Sequence, residues 1–209
     1  MTLAFRLFAS AAIVAPTLLA AEPAAAHHPM GGAVPATVWQ GLASGLAHPV
    51  IGPDHLAFLV AVGLAAGVAR HGPALPALFV AASVLGVAAH WLGLVLPGAE
   101  FLVAATVLAA GALLARGRAP DPRGWAALLA VGGLAHGQAY AEAVIGAEPT
   151  PVLAYLAGLA LVQGAIAGGV ALLPRRQPAV AGTPAVRLAG LAVVLAGAVA
   201  LAGQALAGG

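Results

Sequence analysis

From Leu7 onward the chain is a succession of apolar runs separated by short stretches rich in Pro, Gly and Arg. That punctuation divides it into six predicted helices, at about residues 54–70, 74–96, 100–116, 124–146, 151–173 and 187–207. Most approach the ~20 residues needed to cross ~30 Å of hydrocarbon. A further apolar segment, about 34–47, is shorter. It runs into His48-Pro49-Val50-Ile51-Gly52-Pro53, where two prolines and a glycine are expected to break a helix. The pattern predicts an all-α polytopic membrane bundle. It has about six transmembrane helices and one short helix, re-entrant or non-crossing.

The first run reads differently from the rest. Arg6 makes a short positive n-region, Leu7 to Ala21 is apolar, and Ala24-Ala25-Ala26 offers a small-residue cleavage site. Residues 1–26 are therefore expected to be a signal peptide, leaving 27–209 as a single transmembrane domain. An uncleaved first membrane helix is the alternative, and Pro16, Pro23 and the shortness of the run argue against it. Cleavage after Ala26 would expose His27-His28-Pro29-Met30, either as an amino-terminal metal chelate or as a plain polar tail.

Composition agrees with the pattern. The chain is 62% hydrophobic and 7% charged, with mean hydropathy +1.04, unlike the mixed surface of a soluble domain. All eight basic residues are arginine, so the pI near 9.9 rests on a few loop positions and does not indicate a nucleic-acid partner. The absence of cysteine excludes disulfides, thiolate metal sites and cysteine nucleophiles.

The arginines also orient the chain. If residues 34–47 do not cross, the loops holding Arg70, Arg116 to Arg123 and Arg175 to Arg187 all lie on one side. The opposite loops, Pro97 to Glu100 and Gly146 to Thr150, contain no basic residue. A signal peptide leaves the mature amino terminus in the periplasm, which puts every later arginine in the cytoplasm, as the positive-inside rule requires. If 34–47 crossed, all of them would face outward. The expected location is the bacterial inner membrane, with lipid around the bundle.

Within this frame the acidic residues stand out. Glu22 belongs to the leader, Asp121 to an inner loop, and Glu100 and Glu148 to outer ends. Only Asp54 and Glu142 fall inside predicted spans, and both stand among histidines: His48, Asp54 and His55 in one run, His136 and Glu142 in another. Ionisable groups in hydrocarbon are costly unless paired or liganded, so their default reading is functional. Three imidazoles and two carboxylates form a plausible set of ligands for a divalent transition metal. Pro53 can open the next helix, placing Asp54 in its first turn, where the helix dipole favours a negative charge. Broken helices that end at a buried ion are a recurring device in transporters.

Plainer readings exist for each residue. His48 and His55 fit an ordinary interfacial turn, and His136 with Glu142 fits an interhelical hydrogen bond. His90, beside Trp91, suits interfacial anchoring as well as ligation, and His71 belongs to a short inner loop. Gln138 and Tyr140 suit either a cavity lining or helix–helix hydrogen bonds. Gly41-x-x-x-Gly45 and Gly63-x-x-x-Gly67 fit close helix packing, although a chain with 28 glycines produces such spacings readily.

At these residues the sequence resembles the HupE/UreJ nickel/cobalt permeases. The resemblance rests on the leader, on His-x5-Asp-His at His48, Asp54 and His55, and on His-Gly-x-Ala-x-x-Glu from His136 to Glu142. It extends from about His27 to the carboxyl terminus, through Ile145-Gly146-Ala147-Glu148-Pro149-Thr150-Pro151. Two positions depart from the family pattern: Ala135, where Phe is frequent, and Ala141, where Gly is common. Both leave the ligand types intact and affect only local packing.

The resemblance implies a permease that carries Ni²⁺ or Co²⁺ from periplasm to cytoplasm as substrate, with no resident cofactor. His48, Asp54, His55, His136 and Glu142 match the positions implicated in metal transport. Hydrogenase or urease maturation proteins are then the implied recipients. Two other classes fit the same residues. An intramembrane hydrolase would use them around Zn²⁺, although no HExxH occurs, and a non-transporting metal-binding or assembly protein would need no path through the membrane.

The one-sided arginines make a direct prediction. Reporter fusions after Arg70, Arg118 and Arg176 should score cytoplasmic, and fusions near Pro97 and Ala147 periplasmic. The reverse pattern would mean that residues 34–47 cross the membrane.

Overall fold

The structure, a computed structural model, describes residues 33–69, 73–118, 121–175 and 183–207. The leader, the His27-His28 pair, Arg70, His71 and Arg176 lie outside the described residues. Among those described there is no strand. Seven α-helices follow one another: α1 (Val38–Ile51), α2 (Pro53–Ala69), α3 (Ala74–Trp91), α4 (Ala99–Ala115), α5 (Pro122–Ala141), α6 (Pro149–Arg175) and α7 (Pro184–Ala207). A 3₁₀ turn, Glu142–Val144, prolongs α5.

Local signals account for several helix ends. Thr37 and Gln40 form a reciprocal capping box at the start of α1. The Gln40 amide donates to Thr37 Oγ1 (3.2 Å), and Gln40 Oε1 accepts from the Thr37 amide (3.2 Å). Asp121 caps α5 by accepting from the Gly124 amide at 2.8 Å, with Pro122 opening the helix behind it.

Three helices depart most from the sequence expectation. First, α1 starts later than the predicted 34–47 segment and runs through His48 and Pro49 to Ile51. Pro49 lacks only the bond it would have donated to Gly45, and the last turn still closes with Gly52 N–H donating to His48 O (3.2 Å). Gly52 alone is extended (φ −75°, ψ 110°), and there the chain bends by 80° into α2.

Second, α3 stops at Trp91 and not near residue 96. Gly93 takes φ +89° and closes a Schellman turn, in which Leu94 N–H donates to Ala89 O and Gly93 N–H to His90 O, both at 2.8 Å. Third, α5 ends at Ala141, five residues short of the predicted span, where the chain tightens into the 3₁₀ turn.

By length and apolarity α3, α6 and α7 each suffice to cross a bilayer, while α1 and α2 qualify only as one bent pair. That makes three candidate spans, or up to four, among the described residues, against the six expected from the sequence. At 17 residues α4 is shorter. The 20 residues of α5 include buried His136 and Gln138, which lower its apolarity but face inward.

Burial is inverted relative to a soluble domain. Leu153, Leu161, Leu173, Leu188 and Leu195 are exposed, whereas His48, Asp54, His55, His136 and Gln163 are buried. Such an arrangement suits an apolar solvent. The main core is built from Phe58, Leu59, Val62, Phe79, Val103, Val107 and Leu129, with α2 burying residues on most of its circumference.

The helices pair as α1 with α6, α3 with α5, and α4 with α7, and α2 also packs against α6. The α1–α6 approach depends on absent side chains. A Cβ on Gly45 would run into the Tyr155 carbonyl oxygen, and one on Gly41 into that of Pro151. Gly137 meets the Ser83 carbonyl in the same way between α5 and α3.

Gly45→Ala should therefore force α1 away from α6. Overpacking of this kind costs ~1–3 kcal/mol, and it should appear as a clear drop in the melting midpoint of the detergent-purified chain. A Cβ at Gly164 would meet open space. Gly164→Ala should keep or raise the midpoint, and equal losses in both variants would contradict the packing account.

Candidate metal site

The break between α1 and α2 brings the first motif together. His48 lies in the last turn of α1, while Asp54 and His55 occupy the first turn of α2. His136 arrives from α5, one turn below Tyr140, which shares its face at i+4 spacing. His48, His55 and His136 are 1%, 0% and 0% exposed and Asp54 is 5%, so none of these three imidazoles is a surface residue. Asp54 Oδ1 also accepts from the His55 main-chain N–H at 2.9 Å, which steadies the start of α2.

The rings are closely set. His55 Nδ1 and His136 Nδ1 stand 3.0 Å apart. The two rings are 5.1 Å apart centre to centre, and the His48 ring is 5.8 Å from that of His55. Phe58 stacks on His136 at 4.4 Å, and Phe79 meets it edge-on at 5.8 Å. Tyr140 covers the other side, 4.5 Å from His55 and 5.1 Å from His48. The His55–His136 separation is a hydrogen bond between the two rings, one nitrogen donating and the other accepting; two nitrogens bound ~2.1 Å from one ion at a right angle would lie about as far apart. As the side chains stand, no three His, Asp or Glu groups among the described residues converge closely enough to hold an ion.

Glu142 is placed apart from this cluster. Six residues beyond His136, it would lie about 120° off that face even in a continuous α-helix. It stands instead in the 3₁₀ turn with its side chain exposed. The charges of Asp54 and Glu142 nevertheless both reach Glu100, a half-buried carboxylate in the first turn of α4. Asp54, Glu100 and Glu142 thus mark one side of the bundle as acidic.

Sequence reasoning set Glu100 aside as an outer-end residue. Its proximity to Asp54 depends on how α4 packs against α2, for which no spacing in the chain is a signal. Four polar neighbours were missed for the same reason. Thr106 Oγ1 lies 3.4 Å from His136 Nε2, and Tyr155 Oη lies 2.9 Å from His48 Nδ1. Ser83 and Gln163, both wholly buried, lie deeper between α3 and α6. A polar residue amid an apolar run was the one available hint.

Ser83 Oγ has a single proton and lies 2.9 Å from Val80 O and 2.7 Å from Gln163 Oε1. Turning the Gln163 carboxamide over lets its NH₂ donate to Ser83 and its oxygen face the neighbouring Tyr140 hydroxyl. That one change satisfies Gln163 Nε2 and Tyr140 Oη together. The layer beneath the histidines is then a closed interhelical network.

Gln138 serves the outer loop and not the histidine cluster. Its Oε1 accepts from Leu96 N–H (2.9 Å), and its Nε2 donates to Leu94 O (3.0 Å) and Gly86 O (3.3 Å). His90 Nδ1 donates to the Gln138 main-chain oxygen at 2.9 Å. Both residues fasten the non-helical stretch after α3 to the end of α5.

A family profile described as HupE / UreJ protein matches residues 15–200. No curated protein and no solved structure matches the chain.

Proposed function

Because this chain belongs to the HupE/UreJ family, known as a family of nickel/cobalt transporters and not of enzymes, we propose that it carries Ni²⁺ or Co²⁺ inward across the bacterial inner membrane. The observation that carries this reading is the buried His55–His136 pair, with Nδ1 atoms 3.0 Å apart beside buried Asp54 and His48. Nitrogen and oxygen donors without sulfur suit either metal. His48, Asp54, His55 and His136 act as the inner ligands and Glu142 as the outer one. The ion then supplies the opposite charge that a buried carboxylate needs.

The topology proposed with it has six crossings, α2 to α7, with α1 entering from the periplasmic side without crossing. Residues 1–26 act as the signal peptide. The short α4 and the less apolar α5 cross because their polar groups face the bundle and α3 and α7 shield them from lipid. This leaves the acidic side of the bundle in the periplasm.

Transport then has a plain physical course. Glu100 and Glu142 raise the local concentration of cations at the entrance. The imidazoles and Asp54 replace the hydration shell, and a change in helix packing opens the ion inward. No nucleotide-binding motif occurs in the chain. The membrane potential favours inward movement of a divalent cation by ~4.6 kcal/mol per 100 mV, which suffices for uniport.

Asp54→Ala and His55→Ala should each abolish uptake of ⁶³Ni²⁺ or ⁵⁷Co²⁺ into cells or sealed vesicles, with membrane abundance little changed. Glu142→Ala should reduce uptake most at limiting metal and recover as the concentration rises, because an entrance charge acts on capture. His90→Ala should lose part of the activity through the outer loop, and His71→Ala should keep most of it. Normal uptake by Asp54→Ala at limiting metal would refute the assignment.

A further inference from the structure

We propose that Tyr155 is a positioning residue for metal capture, holding His48 in the tautomer protonated at Nδ1 so that the imidazole offers its Nε2 lone pair to a divalent cation. The inference deepens the metal-site reading above and rests on it. It begins with a count of protons.

A phenol has one hydroxyl proton. Tyr155 Oη lies 2.7 Å from the Tyr140 main-chain oxygen, and a carbonyl can only accept. Tyr140 stands in the last turn of α5, where carbonyls run out of i+4 donors and need another source. The phenol proton is therefore committed to that oxygen. Tyr155 Oη is also 2.9 Å from His48 Nδ1, and with its proton spent it can only accept there. His48 Nδ1 must then be the donor. A neutral imidazole protonated at Nδ1 has its basic lone pair on Nε2, the form that binds a metal through that nitrogen.

The arrangement is buried. Tyr155 and Tyr140 are 0% exposed and His48 is 1% exposed, so water does not compete for these bonds. Three helices meet at the hydroxyl: α6 supplies it, α1 the imidazole and α5 the carbonyl. Gly45, one turn before His48, lets α1 come down onto the Tyr155 backbone. Metal-ligating histidines commonly donate their other ring N–H to such a partner, and loss of that partner typically lowers metal affinity 10–100-fold.

The test is a Co²⁺ titration of the full chain purified in detergent. Tyr155→Phe, which keeps the ring and removes only the hydroxyl, should weaken Co²⁺ binding by roughly 10-fold or more. The same change on a His48→Ala background should weaken it no further, because the hydroxyl acts through that imidazole. Unaltered binding by Tyr155→Phe beside a weakened His48→Ala overturns the proposal. So does an equal loss on both backgrounds, which would mark a packing role.

If His48→Ala itself binds Co²⁺ normally, the failure is that of His48 as a ligand and not of the hydrogen-bond chain. A second measurement needs no variant of Tyr155. Nitrogen NMR of the histidine-labelled metal-free chain, assigned by comparison with His48→Gln, should find His48 protonated at Nδ1. Protonation at Nε2 overturns the proposal.

Discussion

The site depends on how closely α1 can lie against α6. Gly41, Gly45 and His48 fall on one face of α1 at i, i+4 and i+7 spacing. Where the two glycines stand, the backbones of Pro151 and Tyr155 occupy the space that a Cβ would need. Small residues at a helix crossing convert into dispersion contact and short interhelical hydrogen bonds, which are the main forces available where lipid is as apolar as leucine. At His48, one turn further on, the same closeness puts the Tyr155 hydroxyl within hydrogen-bond reach.

The 80° bend supplies the other half of the geometry. A straight helix through residues 38–69 would separate His48 and His55 by two turns along one axis. Pro49 weakens the last turn of α1, Gly52 takes the extended conformation, and Pro53 starts α2 in a new direction. His48 then faces back toward His55, with their rings 5.8 Å apart. The bend also leaves α2 in the middle of the bundle, where it packs on α6, α4 and α7.

Desolvation explains why so many polar groups are tied to one another. A buried polar atom without a partner costs ~1–3 kcal/mol, and an unpaired charge costs far more. Ser83, Gln163, Gln138 and Tyr155 each bridge helices through specific atoms, and these bonds position α3, α5 and α6 about the histidines. In the histidine cluster no three ligands among the described residues converge on one point as the side chains stand.

The sequence by itself determined the helical class, the approximate place of every helix and the two motifs that hold the histidines. Those are local properties: apolar run length, proline and glycine punctuation, and the high cost of an ionisable residue in hydrocarbon. It also located the break after His48, because Pro49, Gly52 and Pro53 act on their own backbone. Gly93 ends α3 by a local turn, whereas tertiary structure alone decided that the stretch after it is tied to Gln138, some forty residues on. It alone separated Glu142 from the buried cluster and drew in Glu100, Thr106 and Tyr155. Periodicity reports which residues share a helix face, whereas a site assembled from α1, α2, α4, α5 and α6 depends on rotation and close approach between helices, which no spacing within one helix encodes.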